Sequence, residues 1–299
     1  MSPSGQFRLE HYLRRQTARI NAALDKFIPD EKTEPTTLHK AMRYSLFAGG
    51  KRIRPILTLA ACEAVGGKVA NALPLACAVE CIHTYSLIHD DLPCMDDDDW
   101  RRGKPTNHKV FGEAIAVLAG DALLTQAFEL VALAKPTRRY DIAAMVRDLA
   151  FAAGSLRLIA GQVQDLENEN RKASLDEVRT THMNKTAALI TTAIRLGAMA
   201  GNATPAQLNR LTKYGQDIGL AFQIIDDVLD ACSTREALGK SVRADQRKHK
   251  STYASTVGVE KSRAIAASLI ADAHKQLVVF DKRAEPLHAI ADFFLTRKR

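Results

Sequence analysis

The chain has 299 residues, 46% of them hydrophobic, with 42 Lys and Arg against 34 Asp and Glu and a formal charge of +8. That length and apolar content suffice for a sizeable core, while 16 Gly and 10 Pro are too few for a fibrous or low-complexity chain. The positive excess admits nucleic acid, a membrane surface or a small polyanion as partner, so the placement of the charges decides. Cys62, Cys77, Cys81, Cys94 and Cys232 are odd in number and form no C-x-x-C pair. They read as free thiols in a reducing compartment, and a cytoplasmic location is expected.

Helical periodicity runs through nearly every segment longer than ten residues. Leu9, Leu13 and Ile20 mark a first amphipathic helix, and the polar residues 29–37 follow it. Helices are then predicted over 39–48, 55–65, 71–91, 112–134, 138–168, 175–200, 205–230, 259–280 and 286–296. Gly66 and Gly67 end one helix, Pro136 separates two, Ser174 with Glu177 caps another, and Thr204-Pro205 opens the next. No alternating strand pattern competes, and no linker divides the chain. The segments 112–134 and 186–200 are apolar around most of their circumference and belong at the centre. Asp121, Glu129 and Arg195 interrupt the most apolar runs, so no membrane span is expected. The prediction is an all-α bundle, one domain over residues 1–299, with a site in its central cavity.

Six aspartates fall between Asp90 and Asp99, a density that repels itself without counter-charge. The run starts where an apolar helix (Val79, Ile82, Leu87, Ile88) ends, and Pro93 bends the chain so that Asp96 returns towards Asp90. A second cluster, Asp226, Asp227 and Asp230, lies in another apolar run, with Asp226 and Asp230 on one helix face. Two acidic clusters with oxygen ligands and few histidines favour Mg²⁺ over Zn²⁺. Lys51, Arg52 and Arg54 follow two glycines, Arg101 and Arg102 follow the first cluster, and Lys240 and Lys250 follow the second. Carboxylates beside cations, twice over, point to a diphosphate held partly by metal and partly by Arg and Lys.

At these residues the chain resembles the trans-isoprenyl diphosphate synthases, most closely the bacterial-type farnesyl diphosphate synthases. DDLPCMD (Asp90 to Asp96) is similar to the family's first aspartate-rich motif and DDVLD (Asp226 to Asp230) to the second. GGKRIRP, GDALL at 120–124, GQVQD at 161–165, Lys185-Thr186, FQIIDD and KSTY match further family segments in the same order. The resemblance implies the all-α isoprenoid-synthase fold, a homodimer, and Mg²⁺-dependent head-to-tail condensation of an allylic diphosphate with isopentenyl diphosphate. It implies that Asp90 and Asp96 hold two Mg²⁺ ions and Asp226 a third, with Arg101, Lys185 and Lys240 on the allylic diphosphate. Isopentenyl diphosphate is expected against Lys51, Arg54, His83 and Arg102, with Lys250 among the diphosphate-binding cations. Thr186 and Gln223 then line the reacting centre, where the Thr186 hydroxyl and the Lys185 carbonyl face the allylic cation.

Ser86 lies one turn before Asp90 on the same stripe, under the growing prenyl tail, and Tyr85 beside it is bulky. An aromatic there, with the longer spacing of the first motif, resembles members that stop at farnesyl diphosphate. Geranylgeranyl diphosphate, reached by the same chemistry, is the alternative. One departure stands out: Arg243 occupies a position where the family pattern has glycine. A terpene cyclase or phosphohydrolase needs no GGKRIRP segment. A nucleic-acid binder would interleave aromatics with a basic stripe, yet aromatics are only 6% of the chain. No nucleic-acid partner is expected.

Overall fold

The computed structural model describes residues 7–169, 171–232 and 251–297. Helix α1 (Leu9–Phe27) turns Tyr12, Gln16, Ile20 and Leu24 inward at helical spacing. After α2 (Thr36–Leu46) come two central helices, α3 (Ile53–Ala64) and α4 (Val69–Asp90), which are buried on most sides. Cys77 and Cys81 are packed in the core of α4, as small apolar side chains would be. A two-residue turn at Arg102 (φ 54) and Gly103 (φ 74) pairs β1 (Trp100–Arg101) with β2 (Lys104–Pro105), the one ladder among the described residues.

Next come α5 (Asn107–Phe111) and α6 (Glu113–Ala132). By length and composition α6 is apolar enough to cross a membrane, so Asp121 and Glu129 interrupt it less than its sequence predicts. Packing accounts for part of that composition: Ala116, Ala119, Leu123, Ala127, Leu130 and Val131 are buried along α4. Val117 and Leu118 are exposed, so the helix is not the central one its sequence predicts. The predicted helix 138–168 is two helices, α7 (Ile142–Ala153) and α8 (Leu158–Glu167). The break falls at Gly154, whose backbone is extended.

Helix α9 (Leu175–His182) opens on the predicted capping box: Ser174 Oγ accepts from the Glu177 amide, and Glu177 accepts from the Ser174 amide. It runs through a π-helical turn (Met183–Ala187) into α10 (Ala188–Ala200), which packs on α3. A Cβ at Gly197 would fall 1.9 Å from the Thr58 carbonyl oxygen, so glycine sets that close crossing. The longest helix, α11 (Pro205–Cys232), packs on α10 and on α13 (Val259–Leu277), with the short α12 (Tyr253–Val257) between them in the chain. Helix α14 (Glu285–Thr296) closes the fold, packing on α11, α13 and α3. The architecture is all-α, as predicted, and the two aspartate clusters sit at the end of α4 and within the last turns of α11.

Candidate active site

The first cluster is shaped by a chain reversal at the end of α4. The Asp96 amide donates to the Asp90 carbonyl at 2.8 Å, and the Asp97 and Asp98 amides donate to Leu92 and Asp91. Asp96 thus returns to Asp90, as the bend at Pro93 predicts. Asp91, only 3% exposed, is gripped by Arg101 through Nε at 2.7 and 2.9 Å and Nη2 at 2.6 Å. Arg101, expected on the allylic diphosphate, therefore spends much of its fork on Asp91. Burial raises the Asp90 pKa to about 6, with Asp96 and Asp91 adding to the shift and Lys185 opposing it. Asp97, Asp99 and His108 bring ligand atoms within 4.8 Å of one another, and Asp99 also pairs with Lys109 at 2.9 Å.

In the second cluster adjacent aspartates again divide. Asp227 is buried and accepts from the Tyr253 amide at 2.8 Å, with His182 Nε2 at 2.8 Å, so it ties α11 to α9 and α12. Asp226 faces a cavity of about 530 Å³. Thr186 donates to Gln223 Oε1 at 2.9 Å, and Gln223 Nε2 lies 3.4 Å from Asp227 Oδ1. This relay engages the Thr186 hydroxyl hydrogen with Gln223, and both side chains line the cavity. Lys185 Nζ donates to Asp165 at 2.7 Å. Both Lys185 and Thr186 sit in the π turn, which displaces them from the ordinary helical register. Gly161 of α8 makes room for that turn: a Cβ there would lie 2.2 Å from the Lys185 amide nitrogen.

Cations form the opposite wall. Lys51, Arg54, His83, Arg101 and Arg102 line the same cavity as Thr186, Gln223 and Asp226. Gly50 (φ 115) lets the Arg102 guanidinium approach, since a Cβ there would fall 2.8 Å from it. Arg54 Nη1 lies 3.5 Å from His83 Nε2, and Arg54 Nε is buried with no hydrogen-bond partner among the described residues. Burial, then Arg54 and Arg102, push the His83 pKa well below its ordinary value, so the imidazole is neutral at pH 7. Arg52 lines the cavity with these cations but is largely buried at φ 52, and its charge is paired with Glu80 of α4 at 2.6 Å. Sequence reading left Arg297 without a role. It follows α14, lines the cavity and donates to Asp226 at 2.7 Å; its only signal was a basic residue after an apolar helix. Lys240, Lys250 and Arg243 lie outside the described residues.

The donor set suits a hard divalent cation. Asp90, Asp96 and Asp226 offer carboxylate oxygens. The burial that raises the Asp90 pKa, with Asp96 and Asp91 adding to it, disfavours a bare carboxylate that a bound dication would stabilise. Asp90, Asp96 and Asp226 would hold Mg²⁺ there, which when bound neutralises a departing diphosphate.

Helices α4 and α11, each carrying an aspartate cluster, both line a cavity with an Arg/Lys wall, an arrangement suited to a transferase of diphosphate esters. The polyprenyl synthetase family model matches residues 35–282, and the chain belongs to that family. A geranylgeranyl diphosphate synthase from Cyanophora paradoxa is 47% identical over 97% of both chains. Among solved structures, a geranylgeranyl pyrophosphate synthetase from Pyrococcus horikoshii superposes with a TM-score of 0.87 at 32% identity, covering 96% of this chain and 99% of that one. An FPP/GFPP synthase from Zymomonas mobilis superposes at 0.84 with 36% identity, covering 96% and 98%. The protein is a prenyltransferase that elongates prenyl diphosphates, in a family that depends on Mg²⁺.

Proposed function

We propose that the enzyme condenses isopentenyl diphosphate with allylic diphosphates up to geranylgeranyl diphosphate. The observation that carries the product assignment is the near-full-length match, at 47% identity, to a relative named for that product. It displaces the farnesyl product favoured by Tyr85 from the main reading. Lys51, Arg54 and Arg102 bind the isopentenyl diphosphate, and neutral His83 adds a hydrogen bond without repelling the arginines. Asp90, Asp96 and Asp226 would hold the Mg²⁺ that would bind the allylic diphosphate, while Lys185 adds positive charge beside Asp90. As the allylic C–O bond breaks, positive charge grows on carbon. The Thr186 hydroxyl donates its hydrogen bond to Gln223, so its oxygen lone pairs are free to stabilise that charge. Leu87, Phe222 and Phe293 supply the apolar part of the lining that would keep water from it.

Farnesyl diphosphate as final product is the second reading, and one observation favours it. The Tyr85 ring is buried in α4 and meets His89 edge-on, while His89 reaches the Val117 carbonyl of α6 at 3.0 Å. On this reading the two rings form the floor that stops the growing prenyl tail below Asp90. The Ser86 hydroxyl donates to the His83 backbone carbonyl at 3.0 Å. Incubation with Mg²⁺, isopentenyl diphosphate and dimethylallyl diphosphate, with product sizing, separates the readings. The wild type should release geranylgeranyl diphosphate. A farnesyl product that lengthens in Tyr85→Ala would establish the second reading, and absence of any prenyl product would overturn both.

A homodimer is the assembly we propose, supported by the exposed apolar residues Leu118 of α6, Phe151 of α7 and Ile159 and Val163 of α8.

A further inference from the structure

We infer that Arg297 is a built-in competitor of metal at Asp226, so that a divalent cation gains this carboxylate only by displacing the C-terminal arginine. The inference rests on Asp226 as a metal ligand. The Arg297 side chain is 6% exposed, although it lies beyond the last helix. Its Nη2 donates to Asp226 Oδ1 and to the Phe222 carbonyl, each at 2.7 Å. The guanidinium carbon stands 3.9 Å over the Phe222 ring, which packs edge-on against Phe294 of α14 at 4.9 Å. The backbone amide of Arg297 bonds to Phe293, which fixes the residue at the end of α14.

An ion pair, a carbonyl acceptor and an aromatic face together make a seat for the guanidinium. Occupancy of that seat excludes a dication on the same oxygen, because two cations at one carboxylate repel each other. Displacement is costly because it strips a largely buried arginine of a charge-assisted bond and a ring contact. Asp226 is therefore harder to metallate than its place in the second aspartate cluster implies. Arg297 Nε is buried with no hydrogen-bond partner among the described residues, so the seat leaves this arginine incompletely satisfied. That limits how tightly the resting pair holds and keeps it displaceable. The consequence is a threshold: the site stays closed by its own arginine until metal arrives at sufficient concentration, with a diphosphate to share it.

The test uses the full chain with Mn²⁺ in place of Mg²⁺ and inorganic diphosphate as the anion, free Mn²⁺ being followed by electron paramagnetic resonance. Arg297→Gln should tighten the weakest Mn²⁺ binding step about three- to tenfold, the range of one partly exposed charged pair. Arg297→Lys, which keeps the charge, should stay within about twofold of wild type, and Asp226→Asn should abolish the step. Unchanged or weaker Mn²⁺ binding in Arg297→Gln, with the step still lost in Asp226→Asn, removes the competitor and leaves the metal site standing. A wild-type chain that retains no Mn²⁺ with diphosphate present overturns the metal reading of Asp226 and this inference with it.

Discussion

Asp90 ends α4 with its carboxylate largely shielded from water and crowded by Asp96 and Asp91, and its pKa rises from 3.8 to about 6. The folded chain therefore binds this proton more tightly than the unfolded chain. Stability falls as pH climbs from about 4 to about 6 and remains lowered above that, until a cation compensates. Asp90→Asn should accordingly raise the stability of the metal-free protein by about 1–3 kcal/mol at pH 7.5, and by little at pH 4. Thermal melts in EDTA at the two pH values check this, and the same variant should lose prenyl transfer. Equal melting temperatures for variant and wild type at pH 7.5 would remove the charge conflict. The division of labour between neighbouring aspartates was only partly legible in sequence. Asp90 and Asp91 are adjacent and identical in type, yet only Asp91 meets the Arg101 fork. That pairing depends on where the β1–β2 turn delivers Arg101, which residue spacing does not encode. Arg52 is divided in the same way: it lines the cavity wall, yet its guanidinium is neutralised by Glu80, which residue spacing does not encode.

Element boundaries followed punctuation well wherever a cap or a proline supplied a local reason. The Ser174 box and the Thr204-Pro205 start are examples, since their hydrogen bonds lie within three residues. The π turn at Met183–Ala187 left no such mark, because it inserts a register shift that apolar periodicity tolerates. Its cause lies in another helix. Gly161 lets α8 approach the Lys185 backbone, and a methyl group there would sit 2.6 Å from Lys185 Cα, against atoms that cannot rotate away. Gly161→Ala should destabilise the protein by about 1–3 kcal/mol, the usual range for overpacking. It should also lower kcat/KM on the order of tenfold or more, because Lys185 and Thr186 move together with the turn. Denaturant melts and steady-state kinetics measure both effects. A variant with wild-type kinetics would show that the π turn is not what places these two residues.

Across the whole molecule, charge and apolar surface separate. The +8 excess first admitted several partners, and part of it now lies in a cavity wall of Lys51, Arg54, Arg101, Arg102 and Arg297. The outer helices show the opposite character. Helix α6 buries one face along α4, yet exposes Val117 at 39% and Leu118 at 53%; Phe151 on α7 and Ile159 and Val163 on α8 are about half exposed. A helix apolar on both faces needs cover on both. A lipid bilayer is a poor candidate for that cover, because α6 sits in the bundle beside α4 and α7 rather than standing apart from it. A second copy of the chain supplies matching apolar surface without further partners, and twofold pairing places the same patch on both subunits. Leu118→Asp with Phe151→Asp would then bury two charges at each end of a self-complementary contact, at a cost well beyond that of a surface substitution. Sedimentation velocity at micromolar concentration should give the dimer mass for wild type and the monomer mass for this double variant. Circular dichroism should find helix content preserved, because both side chains are exposed in the single chain. A folded double variant that still sediments as a dimer would move the interface off this face, and a monomeric wild type would remove the homodimer.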